Sequence, residues 1–197
     1  MDEFKYNSEE SYPQIRVCRG SNNSKDLRLL QRVYAGANGE ITAIMQYIHN
    51  SLTFNDSHKE ISEILEKIAI VEMKHLYMLG EAIIALGGKA KYINIENNTY
   101  WNTGIINYGN NLCKQLMKNL RSETDAYKTY LKYSDLATNT SLRMLFARIA
   151  LDERLHIDIF KSLIEKYCQS WELRPQLRIV SVSEQSNRIK KSTPKYN

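Results

Sequence analysis

Helix-breaking residues are scarce in this chain: 197 residues contain three prolines and eight glycines. That scarcity argues against a turn-rich sandwich or barrel and points to an all-α domain. Cys18, Cys113 and Cys168 stand apart, with no Cys-x-x-Cys. Their isolation excludes a local zinc or rubredoxin-type iron site and suits a reducing compartment. No apolar run is long enough to span a membrane, and the opening Met1-Asp2-Glu3-Phe4-Lys5 is not a signal peptide. A cytoplasmic location is therefore expected, with no membrane partner. The net charge of +5 resides in the last 24 residues, where six Lys/Arg face the single acid Glu184. The rest of the chain is balanced, so 174–197 reads as a solvated tail and nucleic acid is not an expected partner.

What the chain does have is a repeat. Glu40 is followed 32 residues later by Glu72-Met73-Lys74-His75, and Glu123 is followed 30 residues later by Glu153-Arg154-Leu155-His156. The flanks repeat as well. Glu40 and Glu123 both begin Glu-x-x-Ala-x-x-x-Tyr, ending at Tyr47 and Tyr130. Glu72 and Glu153 both close Ile-Ala-x-x-Glu-x-x-His, from Ile68-Ala69 and Ile149-Ala150.

Residues three apart on a helix share a side, so Glu-x-x-His aims a carboxylate and an imidazole at one point. A glutamate on the neighbouring helix completes one half-site, and two facing half-sites make a carboxylate-bridged two-metal centre inside a bundle. Four carboxylates balance two divalent cations, which matters because uncompensated buried charge is strongly disfavoured. Ordinary surface residues would not sit in apolar seams, yet these do. Ile61, Ile64, Leu65, Ile68, Val71 and Leu79 form a helical stripe around Glu72 and His75, and Leu142, Leu145, Ile149, Phe160 and Leu163 do the same around Glu153 and His156. The metal-ligand candidates are thus Glu40, Glu72, His75, Glu123, Glu153 and His156. Asp152 lies about 100° around its helix from Glu153 and is placed to accept the free ring N–H of His75. Val71 holds the matching position on the other helix, so His156 needs a different partner. Tyr127 is a further candidate neighbour of the ligands.

The organisation predicted is a polar arm over 1–23, a four-helix bundle over 24–173 and the tail. Helices are expected over about 24–52, 58–86, 108–137 and 140–169. Asn55-Asp56-Ser57 and Thr138-Asn139-Thr140 read as short turns with N-cap chemistry. Gly87-Gly88 ends the second helix, and 89–107 is a crossover running the height of the bundle. Tyr12-Pro13-Gln14-Ile15-Arg16-Val17 is expected to lie extended on the bundle.

These residues resemble the ferritin-like superfamily over roughly 27–168. Glu40-x-x-Ala43-Ile44-x-Gln46-Tyr47 and Glu72-Met73-Lys74-His75 look like bacterioferritin, and Asp152-Glu153-x-x-His156-Ile157-Asp158 is similar to the last helix of bacterioferritin and rubrerythrin. The layout resembles rubrerythrin-type and manganese-catalase-related proteins. The resemblance implies that Glu72 and Glu153 bridge the metals, that Glu40 with His75 caps one and that Glu123 with His156 caps the other. It departs in two places. The four cysteines of a rubredoxin domain are missing, and Ala126 stands where rubrerythrins carry one more glutamate. Met73 occupies the position of bacterioferritin's haem-ligating methionine; a methionine on a bundle helix is ordinarily packing, so haem is not expected.

The expected function is a non-haem di-iron oxidoreductase that reduces hydrogen peroxide or dioxygen, supplied with electrons by a separate donor protein. A manganese catalase with two manganese ions is the second enzymatic reading, since carboxylate and imidazole suit both metals. Iron oxidation and storage in a closed cage is the non-enzymatic one. A homodimer or larger homo-oligomer is expected in each case.

Overall fold

The computed structural model describes residues 4–14, 16 and 24–169. The basic tail, Ile15 and Val17 lie outside the described residues. Five α-helices, α1 (Ser24–Ala35), α2 (Glu40–Phe54), α3 (Lys59–Ala85), α4 (Leu112–Leu136) and α5 (Thr140–Tyr167), make the bundle, with α1 and α2 together forming its first rod. The α2–α3 and α4–α5 hairpins are joined by a single crossover, the topology expected of a ferritin-like bundle.

The expected continuous first helix is broken. Gly36-Ala37-Asn38-Gly39 interrupts it, and a Cβ at Gly36 or Gly39 would stand 2.3 Å from the Arg32 carbonyl oxygen or 2.6 Å from that of Val33. Only glycine allows backbone to approach so closely. The break makes Glu40 the first residue of α2, where the helix dipole favours a carboxylate. Asn139 caps α5 by accepting from the Leu142 N–H, whereas α3 starts at His58 with no side-chain cap, against expectation. Asn111 caps α4 three residues later than the predicted start.

The crossover carries structure of its own. A two-residue hairpin, β1 (Ile93–Asn94) and β2 (Thr99–Tyr100), turns through Asn98 at φ 53° and is followed by a short 3-10 turn, Thr103–Ile105. It is pinned to the first rod: Tyr92 stacks on Tyr34, Glu96 pairs with Arg32, and Trp101 donates to Thr42. At the opposite edge the buried Asp26 accepts from the backbone and hydroxyl of Thr138 and the backbone of Asn139, which ties α1 to the α4–α5 turn.

The core falls into two apolar clusters with a polar layer between them. One contains Leu30, Val33, Leu79, Ile83, Leu142 and Phe146. The other contains Phe54, Ile61, Leu65, Leu116, Phe160 and Leu163. Along α3 the order is apolar, Glu72 and His75, apolar; along the antiparallel α5 it is the same around Glu153 and His156. Each cluster thereby shields the charged layer from water on one side. Cys113 and Cys168 are joined as a disulfide with Cα atoms 5.8 Å apart, linking the start of α4 to the end of α5. Those two thiols are therefore not isolated. Fifty-five residues separate them in sequence, and the antiparallel α4–α5 hairpin folds that interval back on itself.

Candidate metal centre

The polar layer gathers all six candidate ligands, one helix each for Glu40 (α2) and Glu123 (α4), and a Glu-x-x-His pair each from α3 and α5. None is more than 4% exposed. Their ligand atoms form two overlapping groups: Glu40, Glu72, His75 and Glu153, and Glu72, Glu123, Glu153 and His156. Glu72 and Glu153 belong to both. Glu72 turns Oε2 to His75 Nδ1 and Oε1 to His156 Nδ1, each at 2.9 Å. Glu153 places Oε1 3.4 Å from His75 Nδ1 and Oε2 3.6 Å from His156 Nδ1. Glu40 joins the His75 side at 4.0 Å and Glu123 the His156 side at 3.6 Å.

The outward ring nitrogens explain what the inward ones can do. His156 Nε2 lies 2.9 Å from the Tyr6 carbonyl oxygen, which only accepts, so Nε2 carries the hydrogen. His75 Nε2 lies 3.0 Å from Asp152 Oδ2, with the same consequence. Both Nδ1 atoms face carboxylate oxygens, and His75 Nδ1 lies at hydrogen-bond distance, 2.9 Å, from Glu72 Oε2. His156 Nδ1 and Glu72 Oε1 approach closely without hydrogen-bond geometry, and Glu72 Oε1, Glu123 Oε2, Glu153 Oε1 and His156 Nδ1 have no hydrogen-bond partner. Acceptor atoms converging in a buried layer repel one another unless protons or metal cations lie between them. The donor set, four carboxylates and two imidazole nitrogens, fits two divalent ions of the iron, manganese or zinc type.

Proton affinities record the same charge demand. Burial, reinforced by the charge of Glu72, pushes the Glu40 carboxyl well above the usual carboxylate range. Burial, with the charges of Glu153 and Glu72, does the same to Glu123. For the imidazoles burial opposes the charged form but is outweighed: Asp152, Glu153 and Glu72 raise His75, and Glu72, Glu123 and Glu153 raise His156. Glu72 and Glu153 remain below the ordinary range against their burial, Glu72 held there first by the charge of a protonated His156 and Glu153 by Glu123 and both histidines beside it.

Two tyrosines brace the terminal carboxylates across the repeat. Tyr47 of the first half donates to Glu123 of the second, and Tyr130 of the second donates to Glu40 of the first. Tyr127, the tyrosine singled out from sequence, is half-buried and packs instead on the Leu30–Phe146 cluster. Seven residues bring a helix back to within about 20° of the starting direction, four only to about 40°, so Tyr130 rather than Tyr127 returns to the seam. The matched Tyr47 and Tyr130 positions in the repeat were the available signal. Asp152 accepts from His75, and it is held by Arg148, Tyr12 and the Ser8 N–H.

A cavity of about 110 Å³ reaches the carboxylates from the α2–α4 side. Its walls run from exposed Asn38, Ser122 and Asp125 inward past Ala43 and Ala126 to the four glutamates. Asn119, buried on that wall, has an amide Nδ2 without a partner. The volume suits a few waters or a small oxidant.

Residues 19–99 match the family model for manganese containing catalase, and residues 114–194 match that for rubrerythrin. No curated protein matches the chain significantly. Among solved structures the chain is similar to wild-type KatB, a manganese catalase from Anabaena, with 22% identity and a TM-score of 0.71, over 84% of this chain and 83% of that one. It is also similar to Desulfovibrio desulfuricans bacterioferritin, with 22% identity and a TM-score of 0.63, over 77% and 86%. Mycobacterium tuberculosis BfrA, a bacterioferritin, gives 23% identity and 0.63 over 77% and 90%. With a buried carboxylate–histidine cluster at the centre of a helical bundle, the chain shares the ferritin-like fold of these structures, and its two halves match the manganese-catalase and rubrerythrin family models.

Proposed function

We propose that this protein decomposes hydrogen peroxide at a pair of metal ions held by Glu40, Glu72, His75, Glu123, Glu153 and His156. The observation that carries the reading is the convergence of both Nδ1 atoms and four carboxylates on a buried layer that a small cavity reaches. Glu72 and Glu153 would be shared by the two ions, because each offers one oxygen to either histidine side. Glu40 and Glu123 would each hold one ion, steadied by Tyr130 and Tyr47. When bound, two redox-active ions would exchange two electrons with the O–O bond of a peroxide. The protein's part is to admit the oxidant past Ala43 and Ala126, offer it the free Asn119 N–H, and exclude bulk water with two apolar clusters.

Disproportionation with two manganese ions is the reading best supported. Two peroxides become two waters and one dioxygen, with no outside reductant. The manganese-catalase match over 19–99 and the similarity to KatB favour it. So does Ala126, which lines the cavity where a fifth, rubrerythrin-type carboxylate would stand. The di-iron peroxide reductase, expected first from sequence, is the second reading, supported by the rubrerythrin match over 114–194. It needs a separate electron-donor protein, because no Cys-x-x-Cys is present in the chain. Among the described residues no helix is long and apolar enough to cross a membrane. A homo-oligomeric enzyme is part of both readings, and the Cys113–Cys168 bond runs against the reducing compartment expected from isolated cysteines.

Dissolved oxygen decides between them. Peroxide added to manganese-loaded protein without any reductant should release one oxygen per two peroxides. Absence of oxygen release, with peroxide consumed only when a donor is supplied to iron-loaded protein, would replace the first reading by the second. Neither behaviour, in a particle that elutes as a large closed shell on size exclusion, would point to iron storage.

A further inference from the structure

We propose that the N-terminal arm is a working part of the metal centre, supplying, directly or through Asp152, the outer hydrogen-bond partners that fix both metal-facing imidazoles. The proposal rests on the di-metal reading above.

The centre has two unlike sides. The cavity reaches the carboxylates from α2 and α4, while both Nε2 atoms point away from the carboxylates, toward the arm and Asp152. The arm crosses there. At Tyr6 its backbone carbonyl takes the His156 N–H at 2.9 Å. Two residues on, the Ser8 N–H donates to Asp152 Oδ1 at 2.6 Å. Four more residues along, the Tyr12 hydroxyl donates to Asp152 Oδ2 at 2.5 Å and lies 3.4 Å from His75 Nε2. One buried cation fastens the strap. Arg148 gives Nη1 to Asp152, Nη2 to the Ser8 carbonyl and Nε to the Glu10 carbonyl. The Tyr12 ring carries two cations over it, the Arg148 guanidinium 4.1 Å and the Lys74 ammonium 4.4 Å from its centroid.

A metal needs the Nδ1 lone pair, and a hydrogen-bond acceptor at Nε2 selects the tautomer that presents it. On the second half-site that acceptor is the arm itself. On the first it is Asp152, and the arm provides two of the groups that aim and satisfy this fully buried carboxylate. With the arm away, His156 would lose its acceptor, and Asp152 would lose two donors. Binding linkage then works in both directions: a docked arm tightens metal binding, and bound metal tightens arm docking. The competing account is that the arm only covers an apolar edge, through Phe4, Tyr6 and Tyr12.

Cobalt(II) separates the accounts, because its visible absorption reports the ligand field independently of turnover. In the full chain, amide exchange over 4–14 should slow when cobalt is bound, most of all at Ser8. A chain lacking the first 14 residues should bind cobalt about tenfold to a hundredfold more weakly, with a changed spectrum and unchanged helix content. Where that deletion does not fold, full-length Tyr12→Phe carries the test, and the same spectral change with weaker binding is expected. Lys5→Ala, which removes only the exposed Lys5–Glu9 pair, should alter nothing. Cobalt affinity within about twofold of the full chain, together with an unchanged spectrum in the deletion (or in Tyr12→Phe) and metal-independent arm exchange, would overturn the proposal. Failure of the unaltered chain to bind cobalt at all would instead overturn the di-metal reading and the arm proposal with it.

Discussion

The Tyr47 hydroxyl, on α2, donates to the Glu123 carboxylate, on α4, across the seam between the two halves of the repeat. A fully buried carboxylate oxygen thus has its donor supplied by the other half. Tyr47→Phe keeps the ring among its apolar neighbours and removes only that donor. Leaving a buried acceptor unpaired costs about 1–3 kcal/mol. The variant should therefore melt several degrees lower in the metal-free form. With metal bound the loss should be smaller, because the cation satisfies the same carboxylate. Differential scanning calorimetry of both forms checks this, and equal losses would contradict the assigned geometry.

Metal content tests the bridging assignment. The wild-type chain should hold about two ions, one per half-site. Glu72→Ala and Glu153→Ala each remove an oxygen from both half-sites and should lose most of both ions. Glu40→Ala or Glu123→Ala removes one terminal ligand and should weaken mainly one. Elemental analysis with protein concentration reads the stoichiometry directly. Near-full occupancy in both bridge variants would sink the assignment.

Proton–metal competition should make metal uptake pH-dependent. Glu40, Glu123, His75 and His156 all hold protons above their ordinary range in the metal-free fold. A cation must displace them, so affinity should rise with pH and loading should release protons. The same shifts set the stability of the metal-free protein. A group whose pKa is raised by folding stabilises the fold below its unfolded value and loses that contribution as pH climbs through the folded value. For the two glutamates the loss begins above about pH 4.5, and for the histidines above about pH 6.5. Glu72, Glu153 and Asp152 act oppositely, and their contribution is lost as pH falls below the ordinary carboxylate range. The gap in Tm between loaded and metal-free protein should therefore widen from about pH 6 to about pH 8. A constant or shrinking gap would contradict the shifts.

Reduction of the Cys113–Cys168 bond should destabilise the fold without emptying the centre. The bond closes a loop with a sequence separation of 55 residues. Its constraint on the unfolded chain corresponds to about 4 kcal/mol. For a chain of this size that is roughly a 10 °C fall in Tm on reduction. The bond joins helix ends at the Phe54–Phe160 cluster, ten or more residues along α4 and α5 from Glu123 and His156, so metal content should not change. An unchanged melt in strong reductant would mean the bond does not constrain the chain in solution.

The six ligand candidates were legible from sequence because their placement is local physics. Three-residue spacing on a helix fixes a carboxylate and an imidazole on one face, and the apolar stripes around Glu72, His75, Glu153 and His156 fix that face inward. Asp152 was legible for the same reason, as a fixed rotation from Glu153. The break before Glu40 was not, because Gly36 and Gly39 fit a helical pattern until backbone contacts of 2.3 and 2.6 Å forbid a side chain there. Tyr47 and Tyr130 were visible in the repeat, but their role depends on α2 meeting α4. The partner of His156 is a backbone carbonyl at Tyr6, 150 residues away, and a carbonyl carries no signature in a sequence. The Cys113–Cys168 bond likewise depends on two helix ends meeting. Sequence alone determined which residues could bind metal and which way they face, since helical periodicity needs only near neighbours. The tertiary structure decided which carboxylates face both histidines, where the cavity enters and what holds the imidazoles, because each of those depends on distances between elements far apart in the chain.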